Sequence, residues 1–115
     1  MSGPVTLPGE IPGLLIPGVL VIYRGERWRL VETYPDGSAF IATTGCIKTD
    51  CFVRDLALDL SDRVSRVAAA WWLTGPVTDE EHTVLITVKV GGHVNRRGQE
   101  QLRDMVLRRY NRSQT

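Results

Sequence analysis

Cysteine and lysine occur only twice each in the 115 residues, and aromatic side chains make up 7%. Two cysteines, Cys46 and Cys51, are too few for a disulfide-stapled scaffold, so stability must come from an ordinary apolar core. No apolar run approaches the roughly 18 residues of a membrane-spanning helix, so no membrane partner is expected. The start, "MSGPVTLPGEIPG", has neither a basic first region nor a continuous apolar one. That pattern is unlike a signal peptide, and the expected compartment is the cytoplasm. Catalytic signatures are missing too. There is no Gly-x-Ser-x-Gly, no His-Glu-x-x-His and no glycine-rich phosphate loop. A chain without a nucleophile–base pair is expected to be non-enzymatic and to need no cofactor.

The net charge of +1 gives the whole molecule no electrostatic bias, but its distribution is uneven. Residues 95–115 hold six arginines against Glu100 and Asp104, behind a mildly acidic body.

Residues 1–18 read as an arm. Pro-Gly recurs at 8–9, 12–13 and 17–18, and proline, which fixes φ and donates no hydrogen bond, excludes a helix or a central strand there. Val5, Leu7, Ile11, Leu14, Leu15 and Ile16 make the arm too apolar for a solvated tether. It either packs along its own domain or docks on a neighbour.

A meander follows. "VLVIY" (19–23) is continuously apolar, and Arg24-Gly25-Glu26 turns. In "RWRLVET" (27–33), Arg27 and Arg29 alternate with Trp28 and Leu30, which places the arginines on the opposite face. "YPDG" (34–37) carries type I turn residues, and "SAFIAT" (38–43) returns as a strand. "CFVRDLALDL" (51–60) sets Leu56, Leu58 and Leu60 at period two, with Asp55 and Asp59 facing away, and so predicts a half-buried fourth strand. "IKTD", between the cysteines, reads as a hairpin loop.

A helix is predicted over 61–73, with Val64, Val67, Ala68 and Trp71 on its apolar face. Thr78 and Glu81 fit a capping box. "TVLITVKV" (83–90) alternates like a strand, so the cap predicts one helical turn, and Gly91-Gly92 ends the strand. A last helix starts near Asn95 or Gln99 and runs to about Tyr110.

Five strands interrupted by a helix predict an α+β chain built on a small, strongly curled antiparallel β-barrel, because closure removes exposed edges. The element order is SH3-like, with an OB-like barrel as the runner-up. The barrel would span 19–94, flanked by the arm at 1–18 and an Arg-rich helix and tail at 95–115. "VIYRGERWRLV" resembles a hairpin of small phage head–tail adaptor proteins over that stretch alone, which assigns no family.

Adjacent helical residues sit about 100° apart, so Trp71 and Trp72 cannot both face one core. Trp71 continues the stripe, and Trp72 needs cover from the arm, the last helix or a partner. These features favour a protein–protein interaction or assembly module, such as an adaptor, structural or inhibitory protein of a phage or mobile element. Its contacts, with another protein or with itself, would use Leu7, Ile11, Leu14, Leu15, Trp72 and Tyr110. A nucleic-acid partner is the first alternative. Arg96, Arg97, Arg103, Arg108, Arg109 and Arg112 would track phosphates, and Arg24, Arg27 and Arg29 interleave with Tyr23 and Trp28 as single-strand platforms do. The second alternative is a zinc- or redox-dependent protein. Cys46, Cys51, His82 and His93 supply two thiolates and two imidazoles, but ten residues separate the histidines, a poor metal spacing.

Overall fold

The computed structural model describes residues 3–91 and 93–114. Met1, Ser2, Gly92 and Thr115, which belong to the predicted arm, strand break and tail, lie outside the described residues. The strands are β1 (Thr6–Pro8), β2 (Leu20–Tyr23), β3 (Glu26–Thr33), β4 (Ser38–Ala42), β5 (Lys48–Phe52) and β6 (Ala57–Asp59). The helices are α1 (Arg63–Trp72), α2 (Asp79–Lys89) and α3 (Arg96–Ser113).

The strands form an antiparallel six-stranded sheet in the order β1-β6-β2-β3-β4-β5. This overturns the expected barrel. The sheet is open, with β1 at one edge and β5 at the other. Closure rested on a strand at 83–90, and those residues belong to α2 or follow it. Helices do the covering instead: α1 packs on β6, α3 on β1, and the three helices touch one another.

The reason for α2 lies at its first turn. The Thr78 hydroxyl accepts from the Glu81 N–H at 3.2 Å, and the Glu81 carboxylate accepts from the Thr78 N–H at 2.9 Å. Asp79, Glu80 and Glu81 suit the positive end of the dipole. Thr83 and Thr87 turn their hydroxyls back onto the carbonyls of Asp79 and Thr83, which accommodates β-branched residues in a helix. Leu85 and Val88, three residues apart, face the core. The alternation of Val84, Ile86, Val88 and Val90 is broken in burial, since Ile86 and Val90 are exposed.

The meander β2–β5 is built by its turns. Arg24 (φ 51°) and Gly25 (φ 78°) both adopt positive φ, the two-residue turn that matches strand twist. At the next corner the Asp36 carboxylate accepts from the Ser38 N–H and hydroxyl at 2.9 and 2.6 Å. The predicted strand at 51–60 is split. Its first two residues end β5, Val53–Asp55 form a 3₁₀ turn, and Ala57–Asp59 form β6. "IKTD" mostly lies in β5 instead of a loop. β6 turns back between β1 and β2, pairing Leu58 with Leu7 and with Val21.

The arm supplies β1 and part of the core. Val5, Leu7, Ile11 and Leu14 are almost fully buried, in one cluster with Val21, Leu30, Ile41, Leu58, Leu102 and Val106. Pro8 is tolerated because β1 is an edge strand. A Cβ on Gly9 would run into the carbonyls of Val53 and Leu56, so the arm approaches β6 as closely as only glycine permits. Trp28 is buried edge-on against Tyr23, and its indole N–H has no hydrogen-bond partner among the described residues.

Candidate interaction surface

Helix α1 has two apolar faces, and the structure buries the one that periodicity did not select. Asp62 caps it, accepting from the Ser65 N–H, and holds Arg29 by accepting from both terminal guanidinium nitrogens at 2.8 and 3.0 Å. The inward face carries Ser65, Arg66, Ala69, Ala70 and Leu73. Two of these are polar and satisfied: Ser65 bonds the backbone of Leu20, and the Arg66 guanidinium donates to the carbonyls of Leu60 and Ser61. Alanines let the helix approach closely. The expected core stripe therefore points outward. Val64 is 46% exposed and Trp71 66% exposed, Val67 is half-buried, and of that stripe Ala68 alone is buried.

Trp72, expected to need other cover, finds it in the arm. Its indole N–H donates to the Pro12 carbonyl at 2.9 Å, with Gly13 beside the ring. The arm then runs past α1 and leaves Ile16 46% exposed. Between arm and helix lies an apolar groove of about 580 Å³, lined by Gly13, Ile16, Arg63, Val64, Val67, Ala68, Trp71 and Trp72. The Lys89 ammonium lies 4.5 Å from the Trp71 ring centroid, a cation–π contact.

The predicted site residues fare differently. Leu7, Ile11, Leu14 and Leu15 are buried within this chain, which leaves them little surface to offer a partner. Tyr110 is half-buried against the same core, and Trp72 lines the groove. On α3, Arg103 pairs with Asp104, Arg108 with Glu81, and Arg109 donates to the Pro76 carbonyl. Arg96 reaches the Gly3 carbonyl at 2.7 Å and lies near Glu100, while Arg97 and Arg112 are exposed. Three of the six, Arg96, Arg108 and Arg109, tie α3 to other parts of the chain. The strand platform is dispersed as well: Trp28 is buried, Arg27 pairs with Asp59 and Arg29 with Asp62, and Arg24 lies over Tyr23. Asp59, expected to face solvent, is fully buried and also accepts from the Ser61 N–H and hydroxyl.

Cys51 is buried in β5, whereas Cys46 sits exposed in the β4–β5 turn at φ 66°, and both thiols are free. His82 and His93 are exposed. Among the described residues no three His, Cys, Asp or Glu side chains gather as a metal group, so the four candidate ligands are not brought together. Burial pushes the Cys51 thiol up, and Asp55 and Asp50 add to it. Such a shift disfavours the reactive thiolate.

Reasoning from sequence missed Trp71, Val64 and Ile16 as exposed groups. The Trp71–Trp72 pair was the available signal, because one indole had to leave the core.

Three carboxyls are held below the usual range. Burial pushes Asp62 up, but the Arg29 and backbone hydrogen bonds and the Arg29 charge outweigh it. Hydrogen bonds from Ser38 lower Asp36, and the Thr78 N–H leads the lowering of Glu81, helped by Arg108. Folded-state pKa values below the unfolded ones stabilise the chain at neutral pH, and that stability is lost as pH falls through the carboxylate range. Denaturant midpoints are therefore expected to drop between pH 7 and about pH 3, with a smaller drop for Asp62→Asn. A midpoint that rises toward pH 3 would contradict this.

The chain matches no protein-family model, and comparisons with curated proteins and with solved structures find no significant match. Among the described residues no helix is long and apolar enough to cross a membrane.

Proposed function

We propose that this chain is a non-enzymatic protein-interaction module, working in the cytoplasm, that docks a partner on the outward face of α1. One observation carries the reading: Trp71 stands two-thirds exposed in a groove of apolar side chains. Exposed apolar patches of this kind mark interaction sites, and tryptophan is enriched among the residues that dominate binding energy. The groove is formed where the arm crosses α1, so the arm contributes a wall while its other side chains serve the core. An assembly or adaptor role suits a surface of this sort on a small domain. Nucleic acid is a weaker fit to an apolar lining and to arginines already engaged on α3.

Trp71→Ala is expected to weaken partner binding by about 2 kcal/mol or more, roughly thirtyfold, with little change in stability because the indole is exposed. Affinity capture from the source cells would compare the wild type, Trp71→Ala and Phe52→Ala, the last being exposed on β5. A partner kept by the first and third but lost by the second is the expected result. Equal retention by all three would remove this surface.

A further inference from the structure

We infer that the α1 groove takes an acidic amphipathic helix, an inference that rests on the interaction reading above and adds the partner's chemistry. Val64, Val67 and Trp71 lie at i, i+3 and i+7, a stripe about 10 Å long on two helical turns. Such a stripe matches the anchor spacing of a helix laid along a groove, and Ile16 of the arm forms the facing wall.

Charge selects the kind of helix. Among the described residues Arg63 is the one charged residue lining the groove, and no Asp or Glu lines it. Lys89 stands over Trp71. The Arg63 guanidinium lies beside Gly91, just past the C-terminus of α2, where the helix dipole holds both cations in place. Neither has an ion-pair partner among the described residues. Arg27, Arg29, Arg103 and Arg108 are each neutralised by a carboxylate, whereas the charges of Arg63 and Lys89 stay open to a partner. Two uncompensated cations beside this apolar groove are complementary to carboxylates flanking an apolar stripe. A second copy docking by two-fold symmetry would set the same cations against each other, which disfavours self-association here.

The test is a fluorescence-anisotropy titration of the full chain with two synthetic helical peptides of about 14 residues. Both carry leucine at i, i+3, i+4 and i+7, one with glutamates flanking the stripe and the other with lysines. The glutamate peptide is expected to bind at least roughly tenfold tighter, with an advantage that shrinks at high salt. Lys89→Gln, a change at an exposed position, should reduce that advantage, and Arg63→Glu with Lys89→Glu should reverse it. Trp71→Ala should abolish binding of both peptides. Equal affinities that still depend on Trp71 would overturn the acidic partner and leave the interaction surface standing. Binding indifferent to Trp71→Ala, or no binding, would overturn both. A concentration-dependent dimer seen by light scattering and lost in Trp71→Ala would assign the groove to a second copy, against this inference.

Discussion

Deletion of residues 1–16 is expected to unfold the chain, not to dissociate an assembly. Val5, Leu7, Ile11, Leu14 and Leu15 are buried at 9% exposure or less. At about 1.5–3 kcal/mol for each buried aliphatic side chain, their removal costs on the order of 7–15 kcal/mol. That matches the whole stability of a typical domain, about 5–15 kcal/mol. The hydrogen bonds from Leu60 to Val5 and from Gly9 to Leu56 go as well, and β6 becomes a bare edge. Circular dichroism of the truncated chain should show no cooperative thermal transition. Leu14→Ala, a smaller change in the same place, should cost about 2–5 kcal/mol in urea denaturation. A truncated chain that melts at the parent temperature would show that the arm adds nothing to the core.

The same arm marks where sequence reasoning stopped. Its prolines exclude a central strand but say nothing against an edge, and Thr6–Pro8 is an edge. The meander was legible because Arg24-Gly25 and Pro35-Asp36-Gly37 dictate local geometry, whatever surrounds them. The closed barrel was not, because it depended on 83–90. There, β-branched alternation and the Thr78–Glu81 cap pointed to different structures. The cap prevailed, since it satisfies two N–H groups at the helix start and the threonine hydroxyls return to the helix backbone. In α1 the difficulty was one of facing. Periodicity finds an apolar stripe, but a helix with alanines on one side and Val64, Val67 and Trp71 on the other has two. The face that the sheet receives is the one on which Ser65 and Arg66 find buried hydrogen bonds, and both residue types read from sequence as surface. The groove beside Trp71 follows from that choice.

Ser65→Ala should therefore destabilise the chain far more than the loss of one surface hydroxyl. Leu20 begins β2, yet β6 pairs only with Val21 and Ile22, so the Leu20 N–H and C=O on that side have no strand partner. The Ser65 hydroxyl serves both: it accepts from the N–H at 2.8 Å and donates to the carbonyl at 3.1 Å. Ser65 is fully buried, so water cannot readily replace it. Alanine keeps the helix propensity and nearly the volume, but leaves a donor and an acceptor unsatisfied at about 1–3 kcal/mol each. The expected loss is about 2–4 kcal/mol, read from urea denaturation at neutral pH. A change below about 0.5 kcal/mol, the level of an ordinary surface substitution, would show that Leu20 finds other partners. The glutamate-flanked peptide should still bind the folded fraction of Ser65→Ala within about twofold, because Ser65 lies on the face opposite Trp71 and an independent site adds without coupling. Weaker binding would instead mean that the Leu20 bond sets the position of α1, and with it the width of the groove against Ile16.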